Sequence, residues 1–171
     1  MMKDIIKLSL FLFVACAIAA AALSITYVST AERINIQKKS QINSALSKEC
    51  LSGCTNVKQL ADDHYVGYDP KGNIMGHAYR VAPKGYGGAI DMIVGIDAKG
   101  RVMGIKILSM KETPGLGSKA SEFKFLKQFI GKTSGSPLKA KKDVDAITGA
   151  TITSQAVADG IKEALKKNNS K

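Results

Sequence analysis

Asp69-Pro70-Lys71-Gly72-Asn73-Ile74-Met75-Gly76 and, 28 residues later, Asp97-Ala98-Lys99-Gly100-Arg101-Val102-Met103-Gly104 are two versions of one phrase. Each opens on an Asp suited to a turn, places a Gly three residues on where positive φ is wanted, and re-enters a strand through an apolar residue. The phrase predicts two similar antiparallel hairpins. In the second, residues 89–96 pair with residues 102–108, whose apolar residues partly alternate. Two such units are too few for a solenoid. Downstream, Ser121 is expected to cap a helix reaching about Ile130, with Phe123, Leu126, Phe129 and Ile130 on one face and Gly131 as its stop. Helical spacing assigns those aromatics to the core rather than to a ligand. Residues 133–142 form a loop rich in Ser, Gly and Lys, and a last helix starts near Thr153. Val157, Ile161 and Leu165 recur on it at i, i+4, so one face docks on the sheet, while residues 166–171 are expected to fray. The fold class is α+β: antiparallel β hairpins forming a sheet packed with helices.

Upstream of the hairpins the composition changes. Residues 8–28 carry no charge for 21 positions, about 31 Å as a helix against a hydrocarbon core of about 30 Å. A cleavable apolar region is usually about 7–15 residues long, which favours a retained transmembrane anchor over processing among Ala19 to Ala22 or at Cys16. The expected organisation is an anchor at 1–28, a polar stalk at 29–59 containing a Cys50/Cys54 loop, and a globular domain at 60–171. Lys3, Asp4 and Lys7 before the span and Glu32, Arg33, Lys38 and Lys39 after it leave the positive-inside count undecided.

The formal charge is +11, of which +10 falls on residues 29–171. With no Trp, few aromatics and scattered Lys residues, that charge reads as a solvated face and excludes nucleic acid as the partner. Cys16 lies in the apolar span, and Cys50 and Cys54 suit either a small disulfide loop or two free thiols. His64 and His77 are the only histidines, and no second Cys pair exists, so no metal site is expected.

Asp145-Ala146-Ile147-Thr148-Gly149-Ala150-Thr151-Ile152-Thr153-Ser154 runs into the last helix. Small residues let a large group approach the backbone, and four hydroxyls crowd a helix start, where unpaired N–H groups and the dipole favour a phosphate. An ordinary cap by Thr151 or Thr153 is the competing reading. The stretch resembles the flavinylation motif of the FMN-binding domains in Rnf and Na+-translocating NADH:quinone reductase complexes. Lys111-Glu112-Thr113-Pro114-Gly115-Leu116-Gly117 resembles the KETPGLG loop of the same family, and Tyr86-Gly87-Gly88-Ala89-Ile90 is similar to a third segment, with Ala89 where the family has Pro.

The resemblance implies FMN joined to Thr151 through a phosphoester, with Thr148, Gly149, Ala150 and Thr153 beside it. Thr113, Leu116 and Gly117 then form the other wall, with Pro114 fixing the backbone and Gly115 and Gly117 allowing positive φ or close approach. A Thr hydroxyl is a poor nucleophile unaided, so the resemblance also implies an exported, FAD-dependent flavin transferase, with Asp145 serving its recognition. No residue is expected to be catalytic by itself. The implied protein is a single-pass flavoprotein of the inner membrane with its soluble domain outside the cytoplasm. It carries electrons among the membrane and peripheral subunits of an Rnf-type ferredoxin:NAD oxidoreductase coupled to Na+ or H+ translocation. Its compactness favours a G-type subunit over the longer C-type subunit of the quinone reductase; a membrane-tethered stalk without redox function is the reading from another class.

Overall fold

The computed structural model describes residues 2–170. The side chains of Lys3, Asp4 and Glu32, which enter the flanking-charge count, lie outside the described residues, as does Lys171. The chain divides into two units, 1–40 and 41–171. The first is helical throughout its described residues and belongs to α1 (Met2–Ala45). Among the described residues this is the one helix long and apolar enough to cross a membrane, and Leu10, Phe11, Phe13 and Ile18 are exposed on it.

The second unit is built on a five-stranded antiparallel meander: β1 (Asn56–Ala61), β2 (His64–Tyr68), β3 (Ile74–Val81), β4 (Asp91–Asp97) and β5 (Val102–Ser109), ordered 1-2-3-4-5. Both expected hairpins are present. They are β2–β3 and β4–β5, turning on Asp69 and Asp97 with Gly72 and Gly100 at φ 85° and 75°. β1 begins inside the segment assigned to the stalk and runs across its expected end; its mostly exposed side chains on the sheet edge hide it from a search for apolar alternation.

Strand β4, flanked by β3 and β5, separates two cores. Met92, Val94 and Ile96 face Val157, Ile161 and Leu165 of α3 (Thr151–Asn169), together with Phe125, Leu126 and Phe129. Burying each such side chain is worth about 1.5–3 kcal/mol. Ile93 faces the other way, onto Ala45, Leu46, Cys50 and Leu51. Residues 46–50 form a single π-helical turn against a floor made by the cross-strand pair Gly95 and Gly104. A β-carbon on either glycine would run into the backbone of Cys50 or Glu49. Residues 45–51 therefore belong to the domain core rather than to a polar stalk, and the compact unit begins at Gln41 rather than at residue 60.

Cys50 and Cys54 are free thiols. The Cys50 Sγ donates to the Ile93 carbonyl at 3.5 Å, and burial, reinforced by the neighbouring Glu49 charge, pushes this thiol up to about 12.

Two helix expectations are corrected. Ser121 does not cap a helix: its hydroxyl donates to the Ser118 carbonyl, and Glu122 stands at the start of a short α2 (Phe123–Leu126) between two 3-10 turns. Phe125 replaces Phe123 and Ile130 in the core, both of which are exposed, because the 3-10 segments break the helical phase. Gly131 does end the segment, at φ 81°. The last helix starts at Thr151 rather than Thr153 and stays regular to Asn169, with Lys167 bound to Asp63 at 2.8 Å.

Candidate functional site

Antiparallel order puts the β3–β4 connection (residues 82–90) and the exit from β5 (residues 110–117) at one end of the sheet. The N-terminus of α3 joins them there. Tyr86, Glu112, Thr113, Leu116, Gly117, Gly149, Ala150, Thr151, Ile152 and Thr153 line a cavity of about 500 Å³ at this junction. That volume lies within the range of about 300–1,000 Å³ typical of small-molecule sites. All three segments singled out in the sequence therefore meet at one cavity.

The start of α3 carries no side-chain cap, because Ala150 occupies that position. The N–H groups of the first turn, which have no partner within a helix, lie where α3 lines the cavity. Neither Thr151 nor Thr153 acts as the cap, so the competing reading of this stretch fails. The helix is instead fastened by Ser154, whose hydroxyl accepts from Ile147 N–H at 3.0 Å and donates to the Ala150 carbonyl at 2.9 Å. Gly149 turns the chain into the helix at φ 78°, a left-handed conformation that favours glycine, and its α-carbon faces the Leu116 side chain.

The four hydroxyls have separate fates. Ser154 is fully buried and doubly bonded. Thr153 is buried and donates to Glu112 Oε2 at 2.7 Å. Thr148 is exposed and stands outside the cavity lining. Among the described residues, Thr151 alone of the four lines the cavity with a hydroxyl that makes no hydrogen bond within the chain. Asp145 is exposed and also outside the lining; its backbone is clamped by Gln128, which accepts from Asp145 N–H at 2.8 Å and donates to its carbonyl at 3.3 Å.

The opposite wall is a self-braced loop. Thr113 carbonyl accepts from the N–H groups of Leu116 and Ser118, both at 3.2 Å, and Ser118 Oγ accepts from Gly115 N–H at 2.9 Å. Gly115 has φ 76°, whereas Gly117 serves close approach: a β-carbon there would lie 2.8 Å from the Glu112 Cβ and 3.0 Å from the Thr153 hydroxyl. In the third segment, Gly85 N–H donates to the Gly88 carbonyl at 2.7 Å and Ile90 N–H to the Pro83 carbonyl at 2.9 Å. These two backbone bonds close the turn with Ala89 inside it.

Sequence reasoning gives the loop from Glu112 to Gly117 as a wall without assigning Glu112 a role in it, misses Ile152 and leaves Tyr86 undecided. Glu112, readable as one half of a solvated Lys–Glu pair, instead faces inward, its Oε1 accepting from Gly87 N–H at 3.1 Å. The signal available was a pair of small residues, Gly87 in the preceding motif and Gly117 in the same motif as Glu112. Tyr86 and Ile152 are exposed large side chains on the rim.

The FMN-binding domain family matches residues 85–166, which span all three segments of the cavity. Relatives align along nearly the whole chain. The G subunit of the Na(+)-translocating ferredoxin:NAD(+) oxidoreductase complex of Acetobacterium woodii is 33% identical, covering 96% of this chain and 91% of its own. The G subunit of the proton-translocating ferredoxin:NAD(+) oxidoreductase complex of Clostridium ljungdahlii is 33% identical, covering 91% and 87%. The G subunit of the ion-translocating oxidoreductase complex of Methanosarcina acetivorans is 31% identical, covering 95% and 94%. Among solved structures, Shewanella oneidensis NqrC superposes with a TM-score of 0.52 over 71% of this chain and 70% of that one, at 18% identity, a likeness of fold alone. With an FMN-binding domain at residues 85–166 and these relatives matching over more than nine-tenths of its length, the chain belongs to the family of G subunits of ion-translocating oxidoreductase complexes.

Proposed function

We propose that this chain is a membrane-anchored electron carrier whose FMN is bound covalently to Thr151, within an Rnf-type complex that moves electrons between ferredoxin and NAD and couples the flow to Na+ or H+ translocation. The observation that carries the attachment is the uncommitted Thr151 hydroxyl at the cavity, beside hydroxyls that are buried and bonded or lie outside it. The uncapped first turn of α3 suits the phosphate, because its orphan N–H groups and dipole stabilise an anion. Bound FMN supplies the electron-transfer chemistry, and the protein supplies position and electrostatics. Leu116 and Tyr86 present apolar and aromatic surface at the rim, and Gly117 and Gly149 keep the walls free of side chains.

No His lies in the lining, and nothing there activates Thr151 as a nucleophile. Attachment is assigned to an exported flavin transferase. The Thr151 oxygen forms the new phosphoester as the diphosphate of FAD breaks, AMP departs and the hydroxyl proton is lost. Recognition by that enzyme is assigned to Asp145, which is exposed outside the cavity with its backbone bonded to Gln128. Residues 8–28 anchor the chain, and the domain lies outside the cytoplasm, where a tethered carrier gains a high effective concentration near partner subunits.

Co-expression of the full chain with such a transferase should give a fluorescent band in a denaturing gel. Thr151→Ala should abolish the band, and Thr148→Ala should retain it; full fluorescence in Thr151→Ala overturns the assignment. For orientation, a cysteine introduced at exposed Ser170 in a chain lacking the native thiols should react with an impermeant thiol reagent in intact cells. Protection until lysis contradicts the proposed topology.

A further inference from the structure

Glu112 sits in a slot made by absent side chains. A β-carbon at Gly85 would strike its Oε1, and one at Gly117 would lie 2.8 Å from its Oε2. From that slot its two oxygens reach chain segments far apart in sequence: Gly87 N–H at 3.1 Å, 25 residues upstream, and the Thr153 hydroxyl at 2.7 Å, 41 residues downstream. The three walls of the cavity are thus tied through one carboxylate. Among the described residues no Lys or Arg forms an ion pair with it, although the chain carries a net charge of +11. Lys111, its neighbour, lays its side chain along Gly88 instead.

We propose that Glu112 is a positioning residue that joins the three walls of the flavin pocket and, as an anion without a cationic partner on the cavity wall, holds the reduction potential of the bound flavin down. The inference rests on the reading that FMN occupies this cavity. Electrons added to the ring build negative charge, and a fixed negative charge nearby makes that costlier, more so in a partly water-excluded site. A carboxylate is acceptor-only and takes both donors at once. The two roles are separable. A Gln at this position can still accept from Gly87 N–H through its oxygen, while its amide donates to the Thr153 hydroxyl, which is free to rotate and accept. Glu112→Gln therefore keeps the link and deletes the charge. Thr153→Val keeps the charge and removes one of the two donors that compensate it.

The experiment uses the full chain, co-expressed with a flavin transferase and purified in detergent. In-gel fluorescence measures attachment, circular dichroism the fold, and spectroelectrochemical titration the midpoint potential. Glu112→Gln should carry flavin at the wild-type level with its potential shifted to more positive values. Thr153→Val should shift it the opposite way, because the remaining charge is less compensated. A merely structural link would disturb both variants in the same direction. A flavin-bearing Glu112→Gln with an unchanged or more negative potential overturns the proposal, as does loss of flavin from a folded Glu112→Gln, which would put the carboxylate in attachment rather than tuning. If Glu112→Gln does not fold, the Thr153→Val shift decides: negative supports the proposal, zero or positive overturns it. A wild-type chain that accepts no flavin refutes the functional reading instead.

Discussion

The two ends of the sheet are held by carboxylates used in opposite ways. At the end carrying the β2–β3 and β4–β5 turns, Asp69 Oδ1 accepts from Lys71 and Asn73 N–H, both at 2.8 Å, and Asp97 Oδ1 accepts from Lys99 and Arg101 N–H, both at 2.8 Å. Each turn is also closed by the same backbone bonds, Gly72 N–H to Asp69 carbonyl and Gly100 N–H to Asp97 carbonyl, both 3.0 Å. Every interaction is complete within five residues. At the other end Glu112 bonds across 25 and 41 residues. The first end is a property of a short peptide phrase; the second exists only once the sheet and α3 have come together. The cavity lies at the end whose geometry depends on the whole fold.

The sharpest way to break this contrast is to fill the slot beside Glu112. Gly117→Val places a branched side chain where even a β-carbon lies 2.8 Å from Glu112 Cβ and 3.0 Å from Thr153 Oγ. Overpacking of this kind costs about 2 kcal/mol, and it strikes the link itself. The variant should lower the thermal midpoint and take up less flavin at Thr151, while far-UV circular dichroism still reports the sheet. A Gly117→Val protein with wild-type melting and wild-type flavin content would mean that the loop and the helix are held together by something other than Glu112.

How far the sequence was legible follows the same division. Asp69, Gly72, Asp97 and Gly100 announce their hairpins because an Asx turn and a positive-φ glycine are local chemistry. Val157, Ile161 and Leu165 announce α3 for the same reason. The motifs at Tyr86, Lys111 and Asp145 were recognisable one by one, and Leu116, Gly117 and Thr151 do converge on one cavity. What joins them was not legible: no spacing along the chain says that Glu112 reaches Gly87 and Thr153. The π-helical turn was hidden likewise, because Leu46, Cys50 and Leu51 look like part of a polar stalk until the Gly95–Gly104 floor is in place beneath them. β1 escaped notice because an exposed edge strand needs no apolar alternation.

The smallest effects belong to the local end, and there the two turns can be set against each other. Their bonds match, but their surroundings differ. Asp69 is half-buried and supported by the Asn73 amide at 3.0 Å, whereas Asp97, also half-buried, is paired with the Arg101 guanidinium at 2.8 Å. For Asp97, burial acts to raise the carboxyl, but the Arg101 N–H, its guanidinium and the Lys99 N–H outweigh it and hold the group below the ordinary carboxylate value. The Asn73 amide and backbone N–H hold Asp69 low as well. A folded-state value below the unfolded one means that each carboxylate stabilises the fold at neutral pH. That contribution fades as pH falls below the unfolded value of about 3.9 and on through the lowered folded one. Asp97→Ala should cost about 1 kcal/mol at pH 7, and Asp69→Ala less, because Asp69 bonds a neutral amide where Asp97 bonds a guanidinium. Urea titrations of the two variants at pH 7 and at pH 3 measure this directly. The gap between Asp97→Ala and wild type should narrow at the lower pH. Equal losses in the two variants, or a gap that does not change with pH, would show that the turns are held by their glycines and backbone bonds and that the carboxylates add nothing.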